Sequence, residues 1–177
     1  GATRNIVMVG DQMQLAQPIQ GAHPGESGQS ALDYYLEDQA TIAPDRGILL
    51  DTSWRMHPSI CSFISQAVYD GRLHAHPDCE RQELEIEDGA PSCLRPRGMS
   101  IVEMAHEGCS QSSEEEARLA RELIDQLIGA NFVDRHGKQG TIGLQNVLVV
   151  APYNAQVNLL KGRLPDGARV GTVDKFQ

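Results

Sequence analysis

The sequence is poor in aromatic residues, which make up 5% of its 177 residues and include a single tryptophan. No stretch approaches the ~20 apolar residues that a membrane-spanning helix needs, and no charged-then-apolar leader opens the chain. The remaining composition, 40% hydrophobic and 22% charged, is typical of a globular domain with a core of its own. We therefore predict a cytoplasmic globular protein that does not enter a membrane.

Cysteine is scarce too, with four residues and no Cys-x-x-Cys pair. A chain so long and so poor in cysteine does not depend on disulfides, so we predict free thiols in a reducing compartment. His74, His76 and Cys79 place three potential zinc ligands close together, but no fourth ligand follows at a usual spacing. No metal site is predicted, and a metal-dependent nuclease built on these residues is kept as a third hypothesis.

Basic residues are outnumbered, and the formal net charge of -9 taken alone argues against a nucleic-acid-binding protein. The distribution of charge differs from the total. Residues 146–177 hold four basic residues against two acidic ones, namely Lys161, Arg163, Arg169 and Lys175 against Asp166 and Asp174. This distribution predicts a local phosphate-facing surface on an acidic body.

Apolar runs and apolar stripes alternate along the chain. The short runs predict strands at residues 5–9, 47–51, 100–105, 146–151 and 168–173. The stripes, with their capping signals, predict helices at 30–36, from Pro58 to a stop at Gly71, at 113–129, and from an Asn154 cap through Leu164. The segments 10–30 and 72–98 are predicted to be irregular. Strands that alternate with helices predict an α/β fold with a mainly parallel sheet.

Polar residues follow two predicted strands at the edge where open α/β sheets bind ligands. Asp11 and Gln14 come directly after the first strand, where an amide can orient water or contact a phosphate oxygen without adding charge. Trp54 and Arg55 come just ahead of a helix. An exposed indole can stack on a base and a guanidinium can fork onto phosphate oxygens. Each pair has a plain alternative: a polar loop for the first, a core tryptophan beside a surface arginine for the second.

A third polar segment has two parts, Ala-Pro-Tyr-Asn-Ala-Gln at 151–156 and Gly-Thr-Val-Asp-Lys-Phe-Gln at 171–177. Both follow predicted strands. They offer hydroxyl, amide and backbone N–H donors close to a helix start, which is a neutral means of holding a sugar–phosphate backbone.

Taken together and in order, four blocks resemble the conserved series of superfamily 1 helicases, in the branch of the nonsense-mediated-decay helicase. The blocks are Gly-Asp-x-x-Gln-Leu, Trp-Arg-Met-His-Pro, Ala-Pro-Tyr-x-x-Gln and Thr-Val-Asp-x-Phe-Gln. The resemblance covers residues 5–177 apart from 72–98 and implies a RecA-like, three-layer fold of the P-loop NTPase type. Residues 1–45 would then end a first RecA-like domain, and residues 46–177 would form the second.

A narrower resemblance joins the stretch from Gln14 to Leu36 and the Asp-Gly-Arg-Leu run that ends at Leu73. These segments are similar to bacterial proteins in which the helicase follows a RecB-like nuclease region. The similarity implies a fused nuclease domain as one partner of this chain, besides the first RecA-like domain.

The superfamily resemblance implies a role for each matching residue. Gln14 would sense the terminal phosphate of ATP, with Asp11 supporting the coupling between domains. Trp54 would take the place of the aromatic residue that stacks on adenine, where tyrosine is more usual, and Arg55 would be the arginine finger that reaches the γ-phosphate. The residues implied to contact single-stranded nucleic acid, with DNA favoured over RNA, are Tyr153, Asn154, Gln156 and Thr172.

Two elements of such a motor are missing from the sequence. It holds no Gly-x-x-x-x-Gly-Lys-Ser/Thr phosphate loop, and no Asp-Glu pair ahead of the first block to hold magnesium. We therefore expect a fragment whose intact parent binds ATP and Mg²⁺, with no nucleotide bound to the fragment and no ATP hydrolysis by it alone. The alternative is a non-catalytic RecA-like module that binds nucleic acid or a protein. A phosphate loop upstream of residue 1 would favour the motor.

Overall fold

The computed structural model describes residues 4–15, 21, 23–37, 39–87 and 89–176. The chain forms two compact units. The first comprises Gly1–Ser53 and Cys61–Ala75, and the second comprises Trp54–Ile60 and His76–Gln177. The expected division at residues 45 and 46 into parts of two RecA-like domains stays a prediction.

Helices form where the sequence combines capping residues with an apolar stripe. The four α-helices are α1 (Ala31–Leu36), α2 (Pro58–Val68), α3 (Glu114–Leu127) and α4 (Asn154–Arg163). The Ser30 side chain accepts a hydrogen bond from the backbone N–H of Asp33, and Ser113 accepts one from that of Glu116. These caps satisfy N–H groups that have no partner inside the helix. All four predicted helices are confirmed.

The start of α4 differs from the prediction in one respect. Its N-cap is Tyr153, and no side chain caps the helix there. Asn154 is instead the first helical residue, so the prediction that Asn154 caps α4 is wrong. Its amide is therefore not used at the helix start.

A short parallel ladder joins two strands of the first unit, β1 (Thr52–Ser53) and β2 (His74–Ala75). Thr52 lies opposite His74, and Ser53 lies opposite Ala75. The predicted strand at 47–51 is wrong, because these residues form no ladder and the Ile48 side chain is 88% exposed.

The second unit holds an antiparallel sheet and a parallel pair. The antiparallel sheet has the order β3 (Glu83–Leu84), β4 (Asn131–Val133), β5 (Gln139–Thr141). The parallel pair is β6 (Leu148–Val150) and β7 (Arg169–Gly171), which confirms the predicted strands at 146–151 and 168–173. Part of the segment 72–98 is therefore regular, since β2, β3 and the 3₁₀ turn Pro77–Arg81 lie within it.

The core of the second unit lies where α3 and α4 pack beside β6 and β7. Its buried members are Ala117, Ile124, Ala151, Val157, Leu160, Leu164 and Val170. The continuous apolar run at 146–151 predicts a strand that is covered on both faces, and this prediction is wrong, because Leu148 and Val150 are about half exposed. A strand with one covered face keeps the alternation of buried and exposed side chains.

Two further predicted strands, at 5–9 and 100–105, are wrong. Neither segment forms a ladder among the described residues, and Val7 and Ile101 are each more than 90% exposed. An apolar run becomes a strand only when another backbone lies beside it to accept and donate its hydrogen bonds.

The α/β fold class is confirmed, with parallel pairs consistent with the RecA-like P-loop NTPase type. Among the described residues, no helix has the length and apolar character required to cross a bilayer.

Candidate nucleotide and nucleic-acid interface

The indole of Trp54 is held by a second ring. Trp54 follows β1 directly and His76 follows β2 directly, so the parallel register of these strands brings the two residues side by side. Their ring centroids lie 3.4 Å apart with an angle of 18° between the planes. Trp54 is nevertheless 51% exposed. The structure therefore presents a braced aromatic surface to solvent, and the alternative of a core tryptophan is wrong.

His76 is fixed in turn by the 3₁₀ turn that follows it. Its Nδ1 accepts a hydrogen bond of 3.2 Å from the backbone N–H of Asp78 and so caps the turn Pro77–Arg81. The same nitrogen lies 3.5 Å from the Asp78 carboxylate. Because the Asp78 backbone already holds one edge of the His76 ring, the ring loses little further freedom when it stacks on the indole.

These positions bear on the zinc hypothesis. Cys79 is fully buried, and the His76 ring is occupied by Trp54 and the 3₁₀ turn. Over the described ranges, no three His, Cys, Asp or Glu side chains are grouped to hold a metal ion. The metal-dependent nuclease therefore gains no support from the described residues and is not pursued further.

Arg135 was missed by the sequence analysis, and it approaches Trp54 from the β4–β5 hairpin. Its Nη1 donates a short hydrogen bond to the backbone carbonyl of Trp54, and its guanidinium carbon lies 6.0 Å from the centre of the indole ring. The local signal was available: Asn-Phe-Val, the turn Asp-Arg-His-Gly-Lys, then Gln-Gly-Thr. Two short runs joined by a turn that contains glycine are typical of a hairpin.

Arg55 is exposed beside Trp54, just before α2 begins. The His57 side chain starts this helix, because its Nδ1 accepts a 3.2 Å hydrogen bond from the backbone N–H of Ser59 and lies 2.7 Å from the Ser59 hydroxyl. Because α2 begins at a fixed residue, Pro58, the positions of the residues just before it are fixed as well. The Trp-Arg-Met-His-Pro block is thus one local unit, in which the capping histidine and the proline set the place of the aromatic residue and the arginine.

Asp11 and Gln14 contact each other, as expected for a carboxylate and an amide at one site. The Gln14 amide donates a 2.7 Å hydrogen bond to Asp11 Oδ2, and the backbone N–H of Met13 donates one of 3.0 Å to Oδ1. Tyr69, at the end of α2, donates a 2.6 Å hydrogen bond to the same Oδ2. Burial and the bond to the Asp11 carboxylate raise the pKa of Tyr69 to about 12.

Tyr69 is a second residue that the sequence analysis missed. It is separated from Asp11 by 58 positions, so no local spacing indicates the contact. The Tyr69 phenol holds the Asp11 carboxylate, which in turn orients the Gln14 amide. The Gln14 side chain remains exposed.

The predicted nucleic-acid residues divide into two groups. In the parallel pair, Val150 lies opposite Gly171, and the backbone N–H of Ala151 donates to the Gly171 carbonyl at 3.1 Å. The residues that follow, Tyr153 and Thr172, therefore emerge at one edge of the sheet. Tyr153 is 50% exposed, and Asn154 is exposed in the first turn of α4.

Gln156 lies in the interior instead, with 6% of its surface exposed. Its Oε1 accepts a 2.7 Å hydrogen bond from the Ser113 N–H, and its Nε2 donates one of 3.2 Å to the Ser113 carbonyl. Both ends of the amide are thus used to tie α4 to the start of α3. In this arrangement its side chain offers no polar atom to a bound strand.

The basic residues near the end of the chain are largely engaged with protein groups. Arg163 forms two hydrogen bonds with Glu114, at 2.8 and 3.0 Å, and its guanidinium holds the pKa of Glu114 below its usual value. Arg169 donates to the Gln145 carbonyl, and Lys175 donates to that of Val170. Arg163 is thus paired with a carboxylate, whereas Arg169 and Lys175 keep their charge while bonding to backbone carbonyls, and Tyr153, Asn154 and Thr172 at the β6–β7 edge are neutral.

Comparison with known proteins shows which family the chain belongs to. A family model described as an AAA domain matches residues 28–177. The chain therefore belongs to this AAA domain family, and its relatives confirm the resemblance to superfamily 1 helicases.

Three relatives illustrate the similarity. The chain is 28% identical to Helicase SEN1 of Saccharomyces cerevisiae over 98% of its own length and 8% of that protein. It is 28% identical to DNA-binding protein SMUBP-2 of Rattus norvegicus, over 97% of the chain and 18% of the relative. It is 23% identical to the Regulator of nonsense transcripts 1 homolog of Drosophila melanogaster, over 98% and 15%. The chain thus spans less than a fifth of each relative, and no solved structure matches it.

Proposed function

We propose that this chain is part of an ATP-dependent motor that moves along single-stranded nucleic acid, with DNA favoured over RNA, in the cytoplasm. The observation that carries the proposal is the half-exposed indole of Trp54, braced by His76 and followed at once by the exposed Arg55. An aromatic surface beside a guanidinium suits a base and its phosphates. The relatives named for helicase and DNA-binding activity support this class of ligand.

In this motor, Trp54 stacks on the adenine of ATP. Stacking of a base on an aromatic side chain is worth about 1–3 kcal/mol, enough to orient a nucleotide but not to bind it tightly. Most of the affinity for ATP must then come from contacts with its phosphates. We assign those contacts to Gln14 with its Asp11 partner and to a phosphate loop supplied by a segment outside this sequence, whereas Arg55 reaches the γ-phosphate and acts mainly in the transition state.

Magnesium accompanies ATP in such motors and neutralises the charge of its phosphates. Among the described residues, no three carboxylate, histidine or cysteine side chains are grouped, and magnesium beside a nucleotide takes most of its ligands from phosphates and water. We therefore assign Trp54, Arg55 and Gln14 to binding and orienting the nucleotide. The metal ligands are assigned to the same segment outside this sequence as the phosphate loop.

The strand contacts are assigned to Tyr153, Asn154 and Thr172 at the β6–β7 edge. Hydroxyl and amide groups hold a sugar–phosphate backbone without reading its sequence, as a moving motor requires. Gln156 belongs to this site as a positioning residue, because its hydrogen bonds to Ser113 fix the helix that begins beside Tyr153.

The test is the substitution Arg55→Ala in the full-length protein. A finger that neutralises charge only in the transition state is worth about 10³–10⁵ in rate, so turnover of ATP should be lost while nucleotide affinity stays nearly unchanged. Lys138→Ala removes one positive charge elsewhere in the second unit and serves as the control. Near-normal ATP turnover of the Arg55→Ala protein refutes the finger assignment.

A second candidate function is a RecA-like module that binds nucleic acid or a protein without hydrolysis. The absent phosphate loop and the net charge of -9 favour it. Such a module would bind a single strand with an affinity that ATP does not change. A full-length protein that hydrolyses ATP only when single-stranded nucleic acid is present excludes it.

A further inference from the structure

We propose that Arg135 is a further nucleotide-binding residue, which the β4–β5 hairpin places beside Trp54 so that its guanidinium contacts the phosphates of a nucleotide stacked on the indole. This proposal rests on the proposed nucleotide-binding function of Trp54. The class of ligand is a nucleoside di- or triphosphate.

The hairpin turn is rigid enough to fix where Arg135 lies. One oxygen of the Asp134 carboxylate accepts hydrogen bonds from the backbone N–H groups of His136 and Lys138, at 2.8 and 2.9 Å. Gly137 closes the turn with φ of 79°, a conformation that other residues rarely adopt, and its N–H donates to the Asp134 carbonyl. Arg135 is thus presented by a structured turn.

The guanidinium is directed to Trp54 by a hydrogen bond. Nη1 donates to the backbone carbonyl of Trp54, and Nε lies 3.1 Å from Nε2 of His136. At 6.0 Å from the indole centroid, the cation is at the outer limit of a cation–π contact, so the ring itself holds it weakly. This distance places a positive charge at the margin of any base that stacks on the indole, where the sugar and phosphates of a nucleotide begin.

Arg135 also has no acidic partner among the residues that the structure describes. The neighbouring Asp134 carboxylate is used by the turn, whereas Arg97, Arg121 and Arg163 each pair with a carboxylate. Nη2 of Arg135 makes no hydrogen bond within the described ranges. In a chain with a net charge of -9, an arginine that stands beside an exposed indole with free donors is suited to an anionic ligand.

The experiment measures ATP hydrolysis by the full-length protein with Trp54→Ala, Arg135→Ala, Arg135→Lys and Lys138→Ala. Adenosine is added as a competitive inhibitor that lacks phosphates. We expect Arg135→Ala to raise the KM for ATP about tenfold at nearly constant kcat, the size of one charge-assisted hydrogen bond, and to leave the Ki of adenosine unchanged. Arg135→Lys should recover part of the loss, and Lys138→Ala, which removes a charge from the same hairpin, should change neither constant.

The outcomes separate the two proposals. An Arg135→Ala protein with a normal KM overturns this inference while Trp54→Ala still raises the KM, so the proposed function survives. An equal rise in the Ki of adenosine also overturns it, because Arg135 would then act on the indole and not on phosphates. If Trp54→Ala changes neither the KM for ATP nor the Ki of adenosine, the stacking assignment fails, and the inference fails with it.

Discussion

At the scale of single residues, the Tyr69 hydroxyl shows how a distant side chain completes a site. The phenol donates a hydrogen bond to the same Asp11 oxygen that accepts one from the Gln14 amide. It therefore helps to fix the orientation of the Asp11 carboxylate. The phenolate form would place a second negative charge beside Asp11. Burial of the phenol, its hydrogen bond to Asp11 and this repulsion together raise the pKa of Tyr69 to about 12.

The shift predicts how the protein titrates in alkali. A folded-state pKa of about 12 lies above the ordinary value of 10.0, so the fold favours the neutral phenol. The resulting stabilisation is complete below pH 10.0 and is lost as the pH rises through about 12. In an ultraviolet titration of tyrosinate, one of the four tyrosines should ionise near pH 12. Tyr69→Phe should abolish that component, and Tyr34→Phe, at an exposed tyrosine, should retain it.

The contrary result is a Tyr69→Phe titration that matches wild type above pH 10.0, which would mean that the phenol does not bond to Asp11 in solution. The same variant is informative in ATP hydrolysis. If the phenol positions Gln14, which is assigned to the phosphates of ATP, its loss should lower kcat/KM for ATP.

At the scale of elements, Gln156 joins α4 to the start of α3. Replacing it with alanine leaves the Ser113 N–H buried without a partner, which costs about 1–3 kcal/mol, while the Ser113 carbonyl keeps its hydrogen bond from the Ala117 N–H. We expect Gln156→Ala to lower the free energy of unfolding in urea by that amount. Asn158→Ala, at an exposed position of the same helix, should change it by less than about 0.5 kcal/mol. Equal stabilities of the two variants would contradict the bracing role.

Helices were predicted well from the sequence because their signals are local. Ser30, Ser113 and Pro58 each mark a helix start within one turn of the apolar stripe. The runs at 5–9, 47–51 and 100–105 were predicted as strands on equally local grounds, yet a strand depends on a distant backbone that the run itself does not specify. The β4–β5 hairpin was missed for a different reason, since its signal is local but its runs are only three residues long.

The residues of the candidate site also divide into those that the sequence indicates and those that only the structure shows. The order of the four blocks identified Trp54, Arg55, Tyr153 and Thr172, which the structure leaves at least partly exposed. His76 and Arg135, which contact Trp54, and Tyr69, which bonds to Asp11, come from other segments, and these contacts are visible only in three dimensions. Gln156 shows the converse: a block residue whose type suggests ligand contact lies inside the protein as a helix brace.

At the scale of the whole molecule, the charge distribution predicts how strand binding depends on salt. The chain carries a net charge of -9, and Arg163, Arg169 and Lys175 bond to protein groups. If neutral groups at the β6–β7 edge hold the strand, few counterions are released on binding. The logarithm of the binding constant should then fall with the logarithm of salt concentration with a slope of about -1 or shallower.

The measurement is the anisotropy of a labelled oligonucleotide titrated with the protein at several salt concentrations. Tyr153→Ala should weaken binding about tenfold at every salt concentration without changing the slope, because it removes a neutral contact with the strand and not a charge. Lys161→Ala should change affinity only slightly. A slope steeper than about -3 would show that a basic surface, and not the neutral edge, holds the strand.

The central claim is that the indole of Trp54 faces the adenine of bound ATP. Photolysis of the full-length protein with an azido-adenine nucleotide, followed by mass spectrometry of the labelled peptides, tests it most directly. We predict labels on peptides that contain Trp54, His76 or the β4–β5 turn around Arg135, suppressed by excess ATP. Labels that ATP suppresses but that lie only on peptides without these residues would contradict the claim.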